Sequence, residues 1–154
     1  MIPETTKRVE QNTSDSINEA IRRETERTIA RYARGGPAGI ERRLRELDRE
    51  WDIERTLEAN AATAVLIGMG LGTFVHRRWF FFPAVVGAFL LQHALQGWCP
   101  PVPFFRRLGV RTSTEIEQER YALKALRGDF RGIETKHDGE DPALVRDAYM
   151  AARR

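Results

Sequence analysis

Hydrophobic and polar positions alternate along this chain in two different rhythms. From Ser14 to Trp51 the apolar residues are sparse and helically spaced. Ser14 or Asp15 can cap a helix reaching about Ala33, with Ile17, Ile21, Ile29 and Tyr32 as its stripe. Gly35, Gly36 and Pro37 end it and open the next, since glycine suits a helix C-terminus and proline a first turn. Ile40, Leu44, Leu47 and Trp51 then recur four, three and four apart, placing them on one face. Arg42, Arg43, Arg49 and Glu50 fall on the other. No glycine or proline follows before residue 59, so this helix is expected to run on into what comes next.

There the rhythm changes. Ala59–Val75 holds 17 residues without a charge, about 25 Å as a helix at 1.5 Å per residue. That is the lower limit for a membrane span. His76, Arg77 and Arg78 interrupt, and a second run of 20 residues extends from Trp79 to Trp98. Tryptophans at both ends match the interfacial aromatic belt of membrane helices. Pro83 is tolerated if a helix starts near Phe82, where a missing N–H costs little. Two apolar helices with so short a joint form an antiparallel hairpin. Beyond it, Thr112 and Glu115 have capping-box spacing and predict a helix to about Arg127, stopped by Gly128. Its apolar positions are Ile116, Leu123, Leu126 and Phe130.

The expected organisation is a disordered N-terminus over 1–13, amphipathic helices over 14–58 and a transmembrane helical hairpin over 59–98. A juxtamembrane loop and helix over 99–132, then a linker and short C-terminal helix over 133–154, complete it. The fold class is all-α, a membrane hairpin of two transmembrane helices flanked by amphipathic cytoplasmic helices. No internal repeat and no convincing strand is visible.

Composition adds three restrictions. The 154 residues average out as soluble, with 31% charged residues and a formal charge of +3. Arginine and glutamate interleave on the same helices, so no one-sided basic face for nucleic acid exists. One cysteine excludes an internal disulfide and any zinc site of several thiolates. The polar N-terminus has no apolar core, so it does not read as a cleavable signal peptide. A soluble helical module with the hairpin buried at its centre is the alternative to a membrane protein. Helices in water normally keep one polar face, however, and these are apolar nearly all round. Eight arginines flank the hairpin on its outer sides (42, 43, 45, 49, 55, 106, 107 and 111) against Arg77 and Arg78 in its turn. That asymmetry predicts an inner-membrane protein with both termini cytoplasmic. Membrane lipid is then the first partner, with a homo-oligomer or a protein of unknown kind as others; no cofactor is implied.

Several residues invite a functional reading. Gly68 and Gly72, four apart, open one helix face for packing, either within the hairpin or against a second copy. Folding the hairpin about residue 77 brings Asn60 level with residue 94. Asn60, Gln92, His93 and Gln96 are thereby expected to form a polar intramembrane cluster, holding the helices in register or binding a ligand. Cys99 precedes Pro100 and Pro101, which read as the helix stop, because a residue before proline disfavours helical geometry. The thiol is a candidate reactive group. His93 lies six residues earlier, too far along a helix to serve as its base unless the helix breaks. A metal ligand set and a complete catalytic constellation are both missing from the sequence, and no enzyme is expected.

The stretch Gln92–Thr112, QHALQGWCPPVPFFRRLGVRT, resembles the Gly-x-Cys-Pro segment and following Leu-Gly of a bacterial two-span inner-membrane family of unknown function. This is the YgaP-like transmembrane domain, fused in some members to a rhodanese domain. Gly97, Cys99, Pro100 and Gly109 match the motif position by position, and the flanks resemble an extended subgroup over about residues 38–130. Pro101 departs from it, standing where an aliphatic residue is usual. The resemblance implies a two-span hairpin, self-association and a loose link to sulfur chemistry. It does not carry sulfur transfer over, because the chain has neither a rhodanese domain nor a second cysteine.

Overall fold

The computed structural model describes residue 4, residues 6–131 and residues 142–153, and among these it is all-helical with no strand. In chain order the helices are α1 (Arg8–Gln11), α2 (Asp15–Ala33), α3 (Gly36–Leu47) and α4 (Ile53–Phe74). A 3-10 turn at Arg77–Phe80 leads into α5 (Phe81–Gln96), followed by α6 (Val102–Arg107), α7 (Ser113–Arg127) and α8 (Pro142–Arg153). The linker read around residues 134–141 lies outside the described residues. Two compact units divide the chain, one drawn from residues 1–22 and 51–115 and the other from 23–50 and 116–154. Hydropathy had suggested cuts near 58 and 98 instead.

Helix α3 does not run on into the apolar stretch. It ends at Leu47, and Asp52 adopts an extended backbone with φ −76° and ψ 172°. Its carboxylate accepts the Arg55 backbone N–H at 2.8 Å, an N-cap that restarts the chain as α4. The Ile53 N–H, another unpaired donor at this helix start, donates to the Arg111 carbonyl at 2.8 Å. Trp51, assigned to the α3 stripe by its spacing, therefore lies outside that helix. It is half exposed, with the Arg55 guanidinium 4.4 Å from its ring centre.

Helix α4 and the segment Arg77–Gln96 are each long and apolar enough to cross a membrane. At 22 residues α4 measures about 33 Å, more than a hydrocarbon core requires. Neither is a buried core helix: Leu66 is 72% exposed, Phe74 88% and Phe81 74%. Four uncharged polar side chains of α4 turn inward on their own backbone. Thr56, Asn60, Thr63 and Thr73 each donate to the carbonyl four residues earlier, at 2.7–2.9 Å. That is how polar groups are satisfied where water is scarce. The two helices meet through small residues. A Cβ on Gly68 would lie 2.6 Å from Pro83 Cδ, and one on Gly72 would lie 2.7 Å from the Phe80 ring.

In the same unit, buried Arg106 grips Glu115 with two bonds of 2.6 and 2.8 Å and also reaches Asn18 and the Val110 carbonyl. Glu115 closes a capping box with Thr112, whose N–H donates to it at 2.7 Å. Burial acts to raise the Glu115 carboxyl, but the Arg106 bonds prevail and hold it below the usual range. The second unit has a hydrophobic core of its own. Ile40, Leu44 and Leu47 pack with Ile116 and Leu123, and Ile29 and Tyr32 close over them. Inside it, fully buried Glu119 accepts two bonds from Arg43, at 2.7 and 3.0 Å.

Candidate functional site

The site lies at the open end of the hairpin, where α4 begins and α5 finishes. Helix α5 stops at Gln96 because Gly97 turns left-handed, with φ +75°, and its N–H closes on the His93 carbonyl at 2.7 Å. Pro100 and Pro101 are not the stop that the sequence indicated. They sit beyond it, and Pro101 opens α6 instead, where a proline's fixed φ suits a helix start. Gly97 is needed for a second reason: a Cβ there would lie 2.5 Å from the Arg8 backbone. Helix α1 is seated on this corner, and Asn12 donates to the Gln96 carbonyl at 2.8 Å. Residues 8–11 are thus ordered helix within the stretch read as disordered. The anchoring is tertiary, through Val9 buried beside Ile53, Leu57, Cys99 and Val102, and no local periodicity announces it.

Reversal at Gly97 folds Cys99 back towards α5. The thiol is buried, and the His93 imidazole beside it is only 3% exposed. The other side of the imidazole is held firmly, with Nε2 2.7 Å from Glu54 Oε2. Arg8 donates to Oε1 of the same carboxylate at 2.9 Å. His93 Nδ1 is buried and makes no hydrogen bond of ordinary geometry. With Nε2 committed to Glu54, Nδ1 is the ring nitrogen left for the thiol, close but not locked onto it. A line of thiol, imidazole and carboxylate results, its far end neutralised by a guanidinium. The helix break that would let His93 serve Cys99 is present.

This arrangement replaces the expected polar cluster of Asn60, Gln92, His93 and Gln96. The four do not converge. Asn60 bonds its own helix at Thr56, Gln96 is exposed, and His93 turns to Glu54. Folding about residue 77 misjudged the register, because the carboxylate opposite His93 comes from the first turn of α4 rather than from the level of Asn60. Glu54 itself was overlooked by the sequence reading. The available signal was an acidic residue two places after an N-cap aspartate, facing a histidine in the last turn of an antiparallel partner. Gly68 and Gly72 face Pro83, Phe82 and Phe80 inside the hairpin. Among the described residues no group of three or more His, Cys, Asp and Glu side chains is placed to hold a metal ion.

Cys99 also borders a cavity of about 400 Å³ between the two apolar helices. Its walls are Leu57 through Ala64 on one face of α4 and Phe82 through Leu90 on one face of α5. Asn60 supplies the only amide side chain in a lining otherwise apolar but for the thiol. The chemistry available is that of a nucleophile with a base beside it, an acid orienting the base, and an apolar trough in front.

No protein-family model matches the chain, and neither a curated protein nor a solved structure gives a significant match.

Proposed function

We propose that this chain is a small bacterial inner-membrane protein, with both termini cytoplasmic, that performs thiol chemistry at the membrane face through Cys99. His93 is the base and Glu54 the residue that orients it. The observation carrying this reading is the imidazole held between a carboxylate at 2.7 Å and a buried thiol. A structural histidine buried at a helix end normally has both ring nitrogens bonded. Here the second nitrogen is without a bond, beside the one thiol in the chain. The arginine asymmetry supports the orientation, and the Gly97, Cys99 and Pro100 resemblance to a two-span family supports the hairpin.

Two measurements test it. Iodoacetamide alkylation of Cys99 in inverted vesicles is expected to slow about 100-fold near neutral pH in His93→Gln, the scale of a lost general base. Equal rates would overturn the assignment of His93. For the location, single cysteines are introduced as Arg78→Cys and Arg107→Cys in a Cys99→Ser background. Impermeant maleimide should reach the Arg107 position only in inverted vesicles and the Arg78 position in cells whose outer membrane has been made permeable. Release of the protein from membranes at high pH without detergent would instead favour the soluble module.

An assembly role is the second reading, and the outward faces of both apolar helices favour it. Leu66, Ile67 and Phe74 are exposed, and Gly70 and Gly87 have open space before them. Such faces accept lipid or a second hairpin.

A further inference from the structure

Resting on the thiol reading above, we infer that Cys99 is an acyl-accepting nucleophile whose substrate is a long-chain acyl thioester, the chain lying in the trough between α4 and α5. Shape and polarity carry this. The trough follows one face of each helix, from Leu57 to Ala64 and from Phe82 to Leu90. Eight residues of rise make it about 12 Å long. Cys99 with Pro100 and Pro101 sits at one end. An elongated apolar slot ending at a thiol fits an extended hydrocarbon whose one reactive carbon is terminal. A compact polar substrate would leave the walls unsatisfied and would find only the Asn60 amide, already bonded to Thr56.

The step balances without an oxidant. Sγ of Cys99 attacks the thioester carbonyl while its proton passes to His93 Nδ1, and the Glu54 carboxylate, positioned by Arg8, holds the resulting imidazolium. The tetrahedral intermediate collapses by breaking the carbon–sulfur bond to the leaving thiolate. His93 returns the proton to that thiolate, leaving acyl-Cys99 and a free thiol. Acyl thioester and thiol are exchanged for thioester and thiol, so no electrons change hands. The groups facing Cys99 and its base are His93 from α5, Glu54 from α4 and Arg8 from α1.

The test uses the full chain in detergent micelles with palmitoyl-CoA or acetyl-CoA, read by intact mass and by release with neutral hydroxylamine. Iodoacetamide serves as a probe of the thiol that ignores the trough. Palmitoylation should occur at Cys99, far faster than acetylation, and fall about 100-fold in His93→Gln. Val86→Trp, which fills the trough, should reduce palmitoylation to the acetylation rate while iodoacetamide still reacts, showing that the fold is intact. Palmitoylation no faster than acetylation, or unaffected by Val86→Trp, with His93-dependent alkylation preserved, overturns the acyl assignment alone. If His93→Gln alters neither reaction, both readings fall.

Discussion

The hairpin of α4 and α5 and the core made by α3 with the lower part of α7 solve opposite problems. In the α3–α7 core, Ile40, Leu44, Leu47, Ile116 and Leu123 face inward, and charged residues cover the outside. The hairpin puts Leu66, Phe74 and Phe81 outside and keeps Gly68 and Gly72 within. Their buried polar groups differ likewise. The α3–α7 core encloses a finished ion pair, Arg43 with Glu119, whose carboxylate is fully buried. At the hairpin's open end the His93 imidazole is tied at Nε2 and left open at Nδ1. A closed pair holds a fold together, whereas a half-closed one leaves a buried ring nitrogen beside the thiol.

The comparison breaks most visibly at Glu119. Glu119→Ala leaves the partly buried Arg43 without its main partner, with Glu46 and Glu50 still beside it, and should cost about 3 kcal/mol, the lower end for breaking a buried pair. Urea unfolding followed by proteolysis within residues 23–50 reads the loss. Next comes Leu66→Arg. On a face exposed to water this change stays within about 0.5 kcal/mol, but in a bilayer it costs about 3 kcal/mol. The fraction of chain resisting alkaline extraction from membranes separates the two values, and an unchanged fraction would return the hairpin to water.

Gly68→Ala sets two effects against each other. Alanine gains up to about 1 kcal/mol of helix propensity, while overpacking against the rigid Pro83 ring costs about 1–3 kcal/mol. Net destabilisation in a thermal melt in detergent is expected. Gly70→Ala, with nothing within 4 Å of its added Cβ, should stabilise slightly, and the opposite signs sharpen the assignment of the packed face. The smallest effect concerns pH. Because Arg106 holds the Glu115 carboxyl below its usual range, the pair stabilises the folded form fully above the unfolded value of about 4. That contribution disappears as pH falls through the lower folded value. Glu115→Gln should flatten the acid limb of a stability profile, with Glu10, Thr112 and Arg106 as the other groups facing this carboxyl.

Much of the architecture was legible before any coordinates. The uncharged run from Ala59 to Val75 and the tryptophan-bounded run after it mark helices whose surfaces need no polar face. The spacing of Ile40, Leu44 and Leu47 marks a face of α3. These are local periodicities, and a helix repeats every 3.6 residues whatever surrounds it. Interruption at Asp52 was missed because an aspartate N-cap looks like any other charged residue when no glycine or proline accompanies it. The candidate site was half legible. His93 within the second run and Cys99 just after it stand out as ionisable residues, yet their spacing of six argues against a pairing unless the helix breaks.

By itself the sequence determined that this protein has two kinds of helix, and it marked Cys99 as the only thiol. Composition and periodicity suffice for that, since both are properties of neighbouring residues. Tertiary structure alone decided which groups surround the thiol. Only when α1 packs against Gly97 and that residue turns left-handed does Cys99 fold back to His93. Only an antiparallel α4 brings Glu54 to the far side of the ring. Each of these depends on residues 39 to 89 positions apart, Glu54 with His93 and Arg8 with Gly97, and distance along the chain carries no periodic signal.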